Sequence, residues 1–145
     1  MSSLFALIAA QMWSPQGLPQ EMYPIAEIES SFGKNLAHKP SERGELWTAV
    51  GALGIIPITA FESLKRSGYA GDEKEVVLRL QQSQLFYNRA CLAHWYYLRD
   101  SLPDLKRVVY AWRWGLTAAL KATEWQVAFD TYVLRYFELR LNQPN

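Results

Sequence analysis

Apolar positions in this chain recur at spacings of three and four, and no segment sustains apolar–polar alternation, so the pattern predicts helices. Residues 3 to 12 predict a first helix, stopped by the turn cluster Ser14-Pro15-Gln16-Gly17. In the run Met22 to Ser30, helical spacing puts Met22, Ile25, Ala26 and Glu29 on one face, with Pro24 tolerable only near the first turn. Residues 31 to 53 carry Gly33, Pro40, Gly44 and Gly51, with Gly54 just beyond, and support no long element. Pro57-Ile58 then leads to Thr59 and Glu62, which read as a capping box for a helix ending near Gly68.

Asp72 predicts a cap for a helix over Glu73 to about Gln81. A longer helix is predicted from about Ser83 to Arg99, with Leu85, Phe86, Arg89, Leu92, Ala93 and Tyr96 on its spacing. Ser101-Leu102-Pro103-Asp104 breaks it and starts another helix through about Arg113. Thr123 and Gln126 form a second capping box, opening a last helix whose apolar stripe is Trp125, Ala128, Phe129, Tyr132, Val133, Tyr136 and Phe137. The tail Asn142-Gln143-Pro144-Asn145 is polar and expected to fray. The fold class is mainly α in a single domain, with any β or extended structure confined to about residues 31 to 57.

Composition changes little in that picture. Half of the 145 residues are hydrophobic and a fifth are charged, as in a globular chain with a real core. A net charge of +1 makes no case for nucleic acid or an anionic membrane. The apolar run at the N-terminus is too short to span a bilayer and lacks the basic flank of a signal peptide, so a packed helix is expected there. Cys91 is the single cysteine, which excludes an intramolecular disulfide, and its apolar neighbours predict a buried, inert thiol. His38 and His94 stand far apart and no Cys/His/Asp cluster has metal-ligand spacing, so neither a metal nor a cofactor is expected. Six Trp and eight Tyr are many for this length; most belong in a core, and a few in a cleft would suit sugar rings.

The chemistry centres on Glu29, a carboxylate closing an apolar stripe. Partial burial there disfavours its charged form and raises its pKa, which suits a general acid working near neutrality. Glycosidases usually add a second carboxylate, and Glu42 and Glu45 in the irregular stretch are candidates beside Arg43.

Three ordered blocks carry a resemblance. They are Glu29-Ser30-Ser31-Phe32-Gly33-Lys34-Asn35 with His38-Lys39; Ala49 to Ala60, containing Gly54-Ile55-Ile56-Pro57-Ile58-Thr59-Ala60; and Val108 to Gly115, containing Tyr110-Ala111-Trp112-Arg113-Trp114-Gly115. Over roughly residues 20 to 140 this resembles the lysozyme-like lytic transglycosylases, a group related to goose-type lysozymes, and most of all the form found in phage virions. The resemblance implies a lysozyme-like fold and cleavage of peptidoglycan by Glu29 alone. The substrate's N-acetyl group serves as internal nucleophile, and the product carries a 1,6-anhydromuramyl end. It further implies substrate binding by Ser30, Gly54, Ile55, Ile56, Tyr110, Trp112, Arg113 and Trp114. Ser30 either buttresses Glu29 or contacts sugar. The implied setting is a virion or tail component, in contact with other virion proteins, that opens the host envelope locally without an export signal. A catalytically silent virion protein of the same fold and a free endolysin are the alternatives.

Two positions depart from the pattern. No Gln follows Gly54, where the family holds substrate with an amide, and Arg113 stands where Asn is expected if Trp112 is the block's aromatic. Tyr110 is the other candidate for that aromatic, which in the family hydrogen-bonds the Glu.

Overall fold

The computed structural model describes residues 13–143, so the helix expected over residues 3 to 12 and the last two residues of the polar tail lie outside it. Among the described residues there are eight α-helices: α1 (Tyr23–Ser30), α2 (Pro57–Arg66), α3 (Glu73–Gln82), α4 (Gln84–Ser101), α5 (Leu105–Trp114), α6 (Leu116–Lys121), α7 (Glu124–Ala128) and α8 (Thr131–Leu141). Short 3-10 turns at Gln20–Met22 and Glu45–Trp47 join them. The fold is mainly α, and the extended structure in the irregular stretch is one antiparallel bridge between Val50 and Ile55.

Side-chain caps explain five of the eight helix starts among the described residues. Asp72 accepts the Glu75 amide at 2.8 Å, Ser83 the Phe86 amide at 3.1 Å, and Asp104 the Arg107 amide at 2.9 Å. Thr123 and Gln126 make both bonds of their box, at 3.1 and 2.8 Å. Each such cap stabilises by about 1 kcal/mol.

Three expectations are corrected. The Thr59–Glu62 box does not form, because Pro57 starts α2 two residues earlier, its ring already holding a helical φ. The last helix is two: Phe129 and Asp130 leave the helix, and Asp130 recaps α8 by accepting the Val133 amide at 3.0 Å. The expected stripe therefore splits. Tyr132, Val133 and Tyr136 are buried, whereas Trp125 and Phe129 stack on each other at 4.9 Å in the open.

The third correction concerns α4, which packs against α2, α3 and α5. Its buried face is Phe86, Tyr87, Ala90, Cys91, Trp95 and Leu98, while Leu85 and Tyr96 of the expected face are exposed. A polar residue hid the true face. Asn88 is buried there because its side chain accepts from Trp13 at 2.9 Å and donates to the carbonyls of Ser14 and Gln16. Trp95 is fully buried and donates its indole N–H to Glu21 at 2.6 Å. Cys91 is fully buried, and burial pushes its thiol far above the ordinary range, which makes it a poor nucleophile.

Candidate active site

Glu29 sits in the last turn of α1, on the face it shares with Ile25 and Ala26, which, like Met22 just before the helix, have no solvent exposure. The chain leaves that helix sharply. Ser31 and Phe32 both take left-handed backbone, φ +52° and +57°, and the Phe32 amide reaches back to the Ala26 carbonyl at 3.0 Å. Such residues are strained and persist only where packing over-determines them. Here Phe32 is held edge-on between Trp13 and Tyr23, at 5.2 and 5.4 Å.

Ser30 is buried at this corner. Its hydroxyl accepts from the Gly33 amide at 2.7 Å and donates to the Ala52 carbonyl at 2.7 Å, with the Ala26 carbonyl at 3.0 Å. It ties the end of α1 to the turn Gly51–Gly54 and does not line the groove, although the sequence reading named it for buttressing Glu29 or for a sugar contact.

That turn is the second wall of the site. It is closed by the Val50 amide on the Ile55 carbonyl at 2.9 Å and clamped from three further elements. Tyr87 of α4 donates its hydroxyl to the Val50 carbonyl at 2.7 Å and accepts the Leu53 amide at 2.9 Å. Trp112 of α5 donates its indole N–H to the Leu53 carbonyl at 2.9 Å. His38 places Nε2 2.7 Å from the Gly51 carbonyl. Gly54 has φ +64°, and a Cβ there would stand 2.5 Å from Oε2 of Glu29. The missing side chain is what lets the carboxyl lie against the turn.

Tyr132 covers the carboxyl from the C-terminal side of the chain. Its hydroxyl donates to Oε1 of Glu29 at 3.1 Å across 103 residues of sequence, from the first turn of α8, which packs on α1. Burial raises the Glu29 pKa; the Tyr132 hydrogen bond and the charges of His38 and Arg113 pull it back, and the balance leaves it above its ordinary value. Burial, reinforced by the Glu29 charge, holds Tyr132 well above its usual range, so it remains a neutral donor.

Together these groups open onto a groove of about 570 Å³. Glu29 shares it with Gly54, Ile55 and Ile56 from the turn and with Trp112, Arg113 and Trp114 from the end of α5. Trp114 is anchored by its indole N–H on Asp130 at 2.8 Å, and Arg113 lies over its ring. Tyr110 is corrected: it packs against the core, does not line the groove, and is not the aromatic bonded to Glu29. The two proposed second carboxylates also fall elsewhere. Glu45 lines a separate groove with Arg43 and Trp47, and Glu42 lines neither.

No family model, curated protein or solved structure matches this chain. Among the described residues no group of three or more His, Cys, Asp or Glu is placed to hold a metal ion. No helix among them is long and apolar enough to cross a membrane.

His38 belongs to the first of the three sequence blocks; Tyr132, Glu62 and His94 are groove or site residues that the sequence reading did not single out. Of these three, Tyr132 carried a signal. A Tyr in an apolar stripe brings a hydroxyl that needs a partner once buried, and the partner is Glu29.

Proposed function

We propose that this chain cleaves glycan strands of peptidoglycan as a lytic transglycosylase, with Glu29 as its acid and base. One observation carries the reading: a half-buried carboxyl, its proton affinity raised by burial, lies at the wall of an open groove against a glycine and under a neutral tyrosine donor. A carboxyl so placed can hold a proton near neutrality and present it to a bound ether oxygen.

The proposed step runs as follows. Protonated Glu29 gives its proton to the glycosidic oxygen as the bond to the anomeric carbon breaks. The carbonyl oxygen of the neighbouring N-acetyl group closes on that carbon, giving an oxazolinium ring. The 6-hydroxyl of the same sugar then attacks the anomeric carbon, the ring reopens, and Glu29 takes the hydroxyl proton. No water is consumed. Mass spectrometry of digested cell wall should therefore find 1,6-anhydromuramyl ends. Absence of any product from the folded chain would overturn the reading in favour of a virion protein without catalysis.

A specific observation supports hydrolysis as the second reading. Glu62 lies on the same groove, where it could activate a water. Reducing ends in the product, lost in Glu62→Gln, would decide for it. The virion setting rests on the sequence resemblance, and co-purification with intact particles would test it.

Tyr132→Phe gives an independent check. The Tyr132 hydrogen bond favours the charged carboxylate, so its loss should raise the Glu29 pKa further and move the alkaline limb of kcat/KM to higher pH. Stability should fall by about 1 kcal/mol, the usual cost of one lost hydrogen bond. An unmoved limb would remove Tyr132 from the site's chemistry.

A further inference from the structure

The side of the groove built by α2 and α4 has a polarity of its own. Glu62 and Arg66 stand four apart on α2, a spacing that ordinarily pairs opposite charges, yet no ion pair joins them among the described residues. The Arg66 guanidinium instead lies over the Tyr97 ring, 3.7 Å from its centre. Its hydrogen bond among the described residues, to the Ser63 hydroxyl, is long at 3.5 Å. A guanidinium has five N–H donors, so most of this one remains available to the groove that Arg66 lines.

His94 adds a second donor. Ser63 Oγ lies 3.1 Å from its Nδ1. With the Ser63 hydroxyl donating to Nδ1, the ring proton sits on Nε2. Burial, helped by the Arg66 charge, lowers His94 to about 4, which keeps the ring uncharged at neutral pH. Among the described residues no protein group accepts from Nε2, and His94 lines the groove.

We propose that Arg66 and His94 form a carboxylate-binding subsite, which takes the acidic peptide substituent of the glycan strand lying at Glu29. The inference rests on the glycan reading above and goes further, to a distinction between peptide-bearing and bare strands. A planar guanidinium fork matches a carboxylate in two parallel bonds, and His94 supplies one more. Glu62 on the same wall adds one negative charge, which favours a singly charged carboxylate over a doubly charged phosphate. Bare N-acetylglucosamine strands carry no such group.

The test is a binding titration of the full chain, followed by the indole N–H of Trp112, whose ring packs 5.2 Å from His94. Three probes suffice: N-acetylmuramyl-L-alanyl-D-isoglutamine, the same compound with its free carboxylate amidated, and the tetramer of N-acetylglucosamine. The acid should bind at least about tenfold more tightly than its amide, the usual scale for a charge-assisted hydrogen bond. Arg66→Gln should erase that difference, Arg66→Lys should retain part of it, and Glu62→Gln should widen it about twofold or more. Arg66 is exposed, so none of these depends on repacking a core. Equal binding of acid and amide, or a difference that survives Arg66→Gln, overturns the subsite. If the tetramer binds while acid and amide do not differ, the subsite falls and the glycan reading stands. If acid and amide differ while the tetramer does not bind, the subsite stands and the glycan reading loses its ligand.

Discussion

Glu29→Gln is expected to abolish cleavage and, at neutral pH, to raise the melting temperature. The amide keeps the shape and still accepts from Tyr132, but it has no proton of suitable acidity to give. Loss of general acid catalysis removes about 10²- to 10⁴-fold in rate. The stability sign follows from the direction of the pKa. Burial holds the folded-state value above the ordinary 4.5, so the folded chain binds this proton more tightly than the unfolded chain does. The resulting stability is fully present below 4.5 and is lost as pH rises through the folded value. Above it, wild type keeps a partly buried charge that the amide lacks. Thermal melts should therefore converge in acid and separate at pH 7, the variant melting higher by on the order of a few degrees. A variant that melts lower at pH 7 would show that the carboxylate stabilises the fold, against this account of the site.

Gly54→Ala should be nearly as damaging to activity for a different reason. The new methyl would sit 2.5 Å from Oε2 and 2.8 Å from Cδ of Glu29, closer than carbon atoms approach one another or an oxygen. The carboxyl is the flexible partner and must swing away from the turn. A catalytic group misplaced by about 1 Å costs roughly 10²-fold in rate. The left-handed φ adds about 1 kcal/mol of strain. Gly68→Ala separates these effects. It has φ +96° with nothing within 4 Å of an added Cβ, so it should lose similar stability and keep full activity. Equal activity losses in the two variants would mean that the Glu29 contact does not matter.

What the sequence made legible was short-range. Asp72, Asp104 and the Thr123–Gln126 pair act on amides within three residues, so their effect could be read without knowing the fold. Thr59 shows how the same rule misleads when a proline competes for the start of the helix. The meeting of Glu29, Gly54 and the Trp112–Trp114 segment at one groove was legible because apolar spacing, glycine and the order of blocks survive as patterns. Tyr132 was not, since a hydroxyl that serves a carboxyl 103 residues away looks like one more ring in a buried stripe. Asn88 misled in the opposite sense. Its bonds to the loop after Trp13 bury it, and no local spacing announces a polar residue with three partners. Arg66 and His94 depend on a cross-helix arrangement through Ser63, which one-dimensional patterns do not contain.

Tyr87 joins the long central helix to the Val50 carbonyl and the Leu53 amide of the Gly51–Gly54 turn through a single hydroxyl. To open by itself the turn would have to break both Tyr87 bonds and the Val50–Ile55 bridge, so the Leu53 amide is expected to open together with α4. In native-state hydrogen exchange that amide should close ranks with the slowest amides of α4 and exchange only through global unfolding. Catalytic competence and foldedness would then disappear together along a denaturant series, with no range in which the chain is folded but its acid has lost its seat.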